Sequence, residues 1–340
     1  MKNIFFFILA SVSLYAQKTE TVKLSQSVKS KKHNYKSFTV IDQRANPEIG
    51  SVMFHDDQVN VAFENEAAKD LQSWFYSDNP VRGTDELVLL LENINISEDK
   101  QEKVSIAKLK VRASTFLKKD DGYHFLSRKD TVATVSSRTT PYLAQSLAKK
   151  LTLTLSELLR NTYRAKAWDF AVSQDELSNY SALLIDKLEI YKTDTLKDGV
   201  YNDYYSFFTH NPEPGFTIET NSKGIVTKAV NGDAKKPIRN FYAFVHNGVP
   251  FKVIPVGYAE IFKDDKGLLI EATKAELFPE TTTSGVTIGA AAGGLVGGLI
   301  GAAIDISLSG KRKNIPGSQV YLDPLTGNYI LPDDFGKSKK

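Results

Sequence analysis

The sequence predicts an α+β chain: an N-terminal α/β domain with a meander sheet and a long C-terminal helix, then a small, mainly antiparallel β domain, then a glycine-zipper helix. Three observations predict it. Leu87-Val88-Leu89-Leu90-Leu91 is an unbroken apolar run of strand length, the pattern of a strand covered on both faces. Leu143, Leu147, Leu151, Leu155, Leu158 and Leu159 recur at helical spacing after Pro141, and proline suits the first turn of a helix. Glycine returns every fourth residue at Gly285, Gly289, Gly293, Gly297 and Gly301, within a stretch that carries no charge from Gly285 to Ile304.

The elements follow in chain order. Lys2, the apolar run Ile4 to Leu14 and Tyr15-Ala16-Gln17 read as a secretory signal occupying 1–16, cleaved after Ala16. The lysine-rich lead 17–36 opens a periplasmic α/β domain over 17–165. In it Phe38 to Asp42 is β-branched and aromatic and predicts a strand. Ala67, Ala68, Leu71, Trp74 and Phe75 predict a short helix over 65–75. The apolar run then predicts a central strand over 86–96. Alternation through Val104, Ile106, Leu109 and Val111, the turn Lys118 to Gly122, and the stretches 123–126 and 131–135 predict a meander. The leucine-lined helix spans 141–163.

An aromatic-rich β domain is predicted over 166–281, with strands at 216–219, 225–230, 241–245, 251–254 and 268–272. Hairpin turns fall at His246-Asn247-Gly248 and Lys263 to Gly267. The zipper segment occupies 284–304, and a polar tail, 305–340, carries a hairpin signal from Val320 to Ile330.

The chain has 340 residues, 41% of them hydrophobic, a net charge of +3 and no cysteine. Scattered positive charge predicts no nucleic-acid partner. Absence of cysteine excludes disulfides, thiol catalysis and a cysteine-linked lipid anchor. The five histidines stand far apart, and no serine, phosphate-loop or dinucleotide motif occurs, so no enzyme, metal or cofactor is expected. His55-Asp56-Asp57 and Asp120-Asp121-Gly122 read as turns, and Asp42 with Arg44 as an ion pair on one strand face. Tyr201, Tyr204, Tyr205 and Phe207 form a dense aromatic set that serves either as a ligand platform or, more in keeping with aromatic residues generally, as core.

Val40-Ile41-Asp42-Gln43-Arg44 followed by Ile49-Gly50, in a strand-helix-meander-helix order, resembles the periplasmic α/β domains of envelope lipoproteins, including auxiliary subunits of ABC transporters. That resemblance implies an accessory role without catalysis. The pattern Gly-Val-Tyr-x-x-Tyr-x-x-Phe-x-x-x-Asn-Pro, Gly199 to Pro212, resembles a module of secreted proteins of flavobacterial type, and implies kinship without an activity.

Twenty residues at helical rise reach about 30 Å, the thickness of a bilayer core. Glycine costs a helix about 1 kcal/mol in water but permits close helix contact in lipid. The stretch 285–304 therefore predicts a membrane partner and a homo-oligomer, with other envelope proteins as further partners, and an exported, membrane-associated location in the periplasm or envelope. The alternative is a soluble secreted module for a peptide or glycan in which this stretch is a loop. If the tail completes the β domain, the stretch is a hairpin or a surface helix and not a span.

Overall fold

The computed structural model describes residues 18–31, 35–279, 317–332 and 334–336. Strands hold 44% of the described residues and helices 21%, so the α+β expectation is corrected to a mainly β fold of four sheets. The reason is that many strands are short or polar and are sustained by their partners. The glycine segment, with Gly285, Gly289, Gly293, Gly297 and Gly301, lies outside the described residues, as does the signal stretch.

The first large sheet has the order β2-β5-β6-β7-β8. Its strands are β2 (Tyr35–Asp42), β5 (Asp85–Gln101), β6 (Val104–Lys119), β7 (Gly122–Ser136) and β8 (Ala171–Val172). β2 runs parallel to β5 and the other pairs are antiparallel. The stretches 123–126 and 131–135, expected as two strands, form one. Between β2 and β5 lie β3 (Gly50–Phe54), β4 (Asp57–Ala62) and α1 (Ala67–Asp78). β4 also pairs with β1 (Lys18–Thr21). His55, with φ 53°, and Asp56 form the turn between β3 and β4.

The apolar run in β5 is buried on both sides. Leu87, Leu89 and Leu91 enter a first core with Leu71, Trp74 and Phe75 of α1 and with Leu147, Leu151, Leu155 and Leu158 of α2 (Leu143–Thr162). Val88 and Leu90 enter a second core. After Leu91 the register shifts, with Asn93 opposite Arg112 and Glu92 left over. This bulge lets Ile94 and Ile96 rejoin the first core, because one inserted residue restores the face that alternation would have lost. The lead segment is also tied down: Val28 is fully buried, Trp74 Nε1 donates to the Gln26 carbonyl at 2.8 Å, and Tyr163 OH donates to the Val28 carbonyl at 2.6 Å.

The second large sheet is antiparallel, in the order β18-β17-β16-β15-β14-β13-β9. Its strands are β9 (Gly199–Tyr201), β13 (Ala243–His246), β14 (Val249–Ile254), β15 (Gly257–Asp264), β16 (Gly267–Ala272), β17 (Ser318–Leu322) and β18 (Tyr329–Ile330). Asn247 (φ 53°) and Gly248 (φ 77°) make the two-residue turn between β13 and β14, the left-handed pair that suits a twisted hairpin. Asp198 accepts both of their amide protons, at 2.9 and 2.8 Å. One face of this sheet joins the second core, which also takes Phe116 and Phe125 from the first sheet and Trp168, Tyr180 and Phe207 between them. The other face carries a third core under the small sheet of β10 (Thr217–Thr220), β11 (Val226–Asn231) and β12 (Ala234–Pro237).

The pairing of β16 with β17, Ala272 opposite Ser318, corrects the single membrane crossing expected of 285–304. That crossing would put the tail and the β domain on opposite sides of a bilayer, yet they share one sheet. No helix among the described residues is long and apolar enough to cross a membrane.

The loop from Asp323 to Asn328 docks Leu325, 1% exposed, into the second core. Gly327 has φ 69°, and a Cβ there would lie 2.5 Å from Tyr204 Cβ. Gly224 has a similar φ of 73° with nothing within 4 Å of such a Cβ. Gly327→Ala is expected to cost the about 1–3 kcal/mol of a strained backbone and more for the contact, and so to melt below Gly224→Ala. Equal melting temperatures for the two variants would refute the loop's close docking.

Candidate functional site

The aromatic motif 199–212 is held together as a unit. Asp203 Oδ1 accepts from the Ser206 amide at 2.7 Å and opens α4 (Tyr204–Phe208), the N-cap arrangement expected of aspartate. His210 ends it in a left-handed conformation, φ 55°, with Nε2 accepting from the Lys197 amide at 2.7 Å. That bond places the ring proton on Nδ1, and burial holds the imidazole pKa below its usual value.

Tyr201 and Phe207 are fully buried in the second core, and Tyr201 OH donates to the Lys197 carbonyl at 2.9 Å. Tyr204 and Tyr205 are half-buried against the same core. Tyr205 OH donates to Asp169 at 3.1 Å and its ring centre lies 4.9 Å from that of Trp168. Burial is the main cause that raises its pKa to about 12. These rings mostly face protein.

Phe207 does line an open cavity of about 210 Å³ between residues 190–196 and β15–β16. Its apolar walls are Ile190, Leu196, Phe207, Pro250, Ile261 and Leu268. Phe262, 43% exposed, is a wall that solvent also reaches. Thr193, Asp194 and Lys263 complete the lining. Thr193 Oγ1 donates to the Thr195 carbonyl at 2.9 Å, which fixes the turn carrying Asp194. Lys263 Nζ donates to the Tyr191 carbonyl at 2.9 Å. No hydrogen bond or ion pair engages the Asp194 carboxylate among the described residues, and none joins it to Lys263. Sequence reasoning found Phe207 by its aromatic density and missed the rest, because they come from four separate stretches.

A second polar grouping sits between the large sheets. Glu92, the bulge residue, accepts from Ser114 Oγ at 2.7 Å and from Tyr180 OH at 3.3 Å. Arg128 Nη1 donates to Ser181 Oγ at 3.2 Å and Nη2 pairs with Asp130 at 3.2 Å, while Nε is buried without a partner. Ser114 is fully buried, so this grouping joins two halves of the molecule and presents no nucleophile to a substrate. His124 has both ring nitrogens bonded, to the Trp168 carbonyl at 2.7 Å and Asp121 at 2.8 Å. Asp42 and Arg44 make a two-point pair at 2.7 and 2.8 Å with the Arg44 side chain only 4% exposed. Among the described residues no cluster of three or more His, Asp or Glu could hold a metal ion.

Lys252 on β14 is 7% exposed. Its Nζ donates to the carbonyls of Tyr242 at 3.1 Å and Val253 at 2.8 Å, and lies 3.9 Å from the Tyr242 ring centre. Burial pushes its pKa down to about 7.

No protein-family model matches the chain, and no curated protein matches it. Solved structures are similar over part of it, two of which follow. A minor lipoprotein from Acinetobacter baumannii is 10% identical with a TM-score of 0.26, covering 40% of this chain and 98% of its own. A Xanthomonas campestris protein described by the DUF330 family model is 10% identical with a TM-score of 0.29, covering 43% and 96%. At those TM-scores neither supports a statement about the activity of this chain.

Proposed function

We propose that this is an exported accessory protein of the cell envelope that performs no catalysis, associates with a membrane through its uncharged stretch 285–304, and self-associates through the same glycine-rich residues. The observation that carries the reading is the uncharged stretch from Gly285 to Ile304 with glycine at every fourth position up to Gly301. The Ala272–Ser318 pairing joins the described segments on either side of that stretch in one sheet, so both lie on the same side of any membrane it meets. The signal-like first residues, the internally bonded His124 and His210 and the buried Ser114 support the same reading. The completed sheet also favours the alternative of a soluble secreted binding module.

Fractionation separates the two. The full-length chain is expected to sediment with membranes, to resist alkaline carbonate and to crosslink to itself, whereas a chain lacking 285–304 stays soluble. Gly293→Leu combined with Gly297→Leu should weaken the crosslink. Release of the full-length chain by carbonate overturns the membrane reading and leaves the soluble module.

A further inference from the structure

The cavity beside Phe207 has features that membrane association does not use. Its volume of about 210 Å³ exceeds the roughly 150 Å³ of an apolar cavity known to take up benzene. A single ring or a branched aliphatic group therefore fits against Ile190, Leu196, Ile261 and Leu268. The polar lining is sparse and of both signs. Asp194 carries a carboxylate without a partner among the described residues. Lys263 spends one hydrogen bond on the Tyr191 carbonyl, and an ammonium group has three donors to offer.

Both charges line the cavity together with its apolar walls, and no ion pair joins them among the described residues. A ligand that satisfies all three features carries an ammonium group, a carboxylate and an apolar side chain on one carbon. We propose that this cavity binds a free apolar α-amino acid: the side chain fills the pocket, the α-ammonium group meets Asp194 and the α-carboxylate meets Lys263. Few convergent polar groups around an apolar pocket are the usual make-up of a small-ligand site. The proposal is independent of the membrane reading, since it rests wholly on described residues.

The test is calorimetric titration of the full-length chain with L-phenylalanine and L-leucine. Both are expected to bind. N-acetyl-L-phenylalanine, with its ammonium group blocked, and L-phenylalaninamide, with its carboxylate blocked, should each bind at least about tenfold more weakly, as loss of one charge-assisted contact predicts. Asp194→Asn should remove the discrimination against the acetylated ligand, and Lys263→Met that against the amide. Both residues are exposed enough for their variants to fold, which circular dichroism checks.

Absence of L-phenylalanine binding at millimolar concentration overturns the proposal. Equal affinity for toluene and L-phenylalanine overturns it too, since the charges then do nothing. Binding that needs the carboxylate alone also overturns it, and assigns the pocket to the C-terminal residue of a peptide.

Discussion

Phe116→Ala is expected to cost about 3–5 kcal/mol, the usual range for deleting a buried phenylalanine ring, and to lower the unfolding midpoint of both large sheets together. Phe116 is fully buried. Its ring centre lies 5.0 Å from Tyr180 and 5.8 Å from Phe125, edge to face in both cases, and Phe125 continues the contact to Trp168 at 5.1 Å. The chain supplies its own probes, because its two tryptophans sit in different cores: Trp74 in the first and Trp168 in the second. In single-tryptophan chains, made with Trp74→Phe or Trp168→Phe, the added Phe116→Ala change should shift both fluorescence transitions to lower denaturant equally. A Trp74 transition left in place would show that the cores unfold independently and would sink the account of a five-stranded sheet shared between them.

Lys252→Met is expected to make the chain more stable at pH 7 and to flatten its pH dependence. The folded-state pKa of Lys252, about 7, lies below the unfolded value of about 10.4. Between those values the unfolded chain binds one more proton than the folded one. Stability contributed by this position is therefore full above the unfolded pKa, falls as pH drops, and levels off below about 7. The slope is about 1.4 kcal/mol per pH unit. Methionine forfeits two hydrogen bonds to carbonyls, about 1 kcal/mol each, which is less than the charge burial it relieves. The stability advantage of the variant should shrink by about 3 kcal/mol between pH 7 and pH 9.5. That range stops short of the buried tyrosines: Tyr329, raised to about 12 mainly by burial, loses its contribution only as pH rises past 10. Urea midpoints measured for both chains would reject the assignment if the two pH curves ran parallel.

Where one face of an element is apolar and the other polar, or both are apolar, sequence and structure agree. The run Leu87 to Leu91 is central, the leucines after Pro141 line α2, and Asn247-Gly248 turns a hairpin. Those signals are local, since each arises from the spacing of a few neighbours. What was not legible depends on distant partners. β3 and β4 are short and half-exposed, and they persist because Asp57–Ala62 pairs with both Gly50–Phe54 and Lys18–Thr21. The polar residues Ser97 to Gln101 extend β5 only because β6 lies alongside. Arg128 and Asp130 broke the apparent strand at its middle, whereas in the fold Asp130 accepts from Arg112 across the ladder at 2.8 Å. Helical periodicity stands out without any partner, so helices weighed too heavily in the expected fold class. In the cavity, only Phe207 announced itself. Asp194 and Lys263 look like ordinary surface charges until the chain folds.

The pairing of the tail with β16 also sets an order of events. Synthesis proceeds from the N-terminus, and domains generally fold as their residues appear. β17, Leu325 and β18 come last, yet Val320, Leu322 and Leu325 are almost wholly buried in the second core. Until they arrive, Ile270 and Ala272 face an unfinished sheet edge. A nascent chain that has already made β16 must wait for about 45 further residues before that edge is sealed. Tolerance to truncation is therefore uneven in a way that sequence position hides: a stop codon just before Ser318 removes few residues yet leaves a chain that never completes its core.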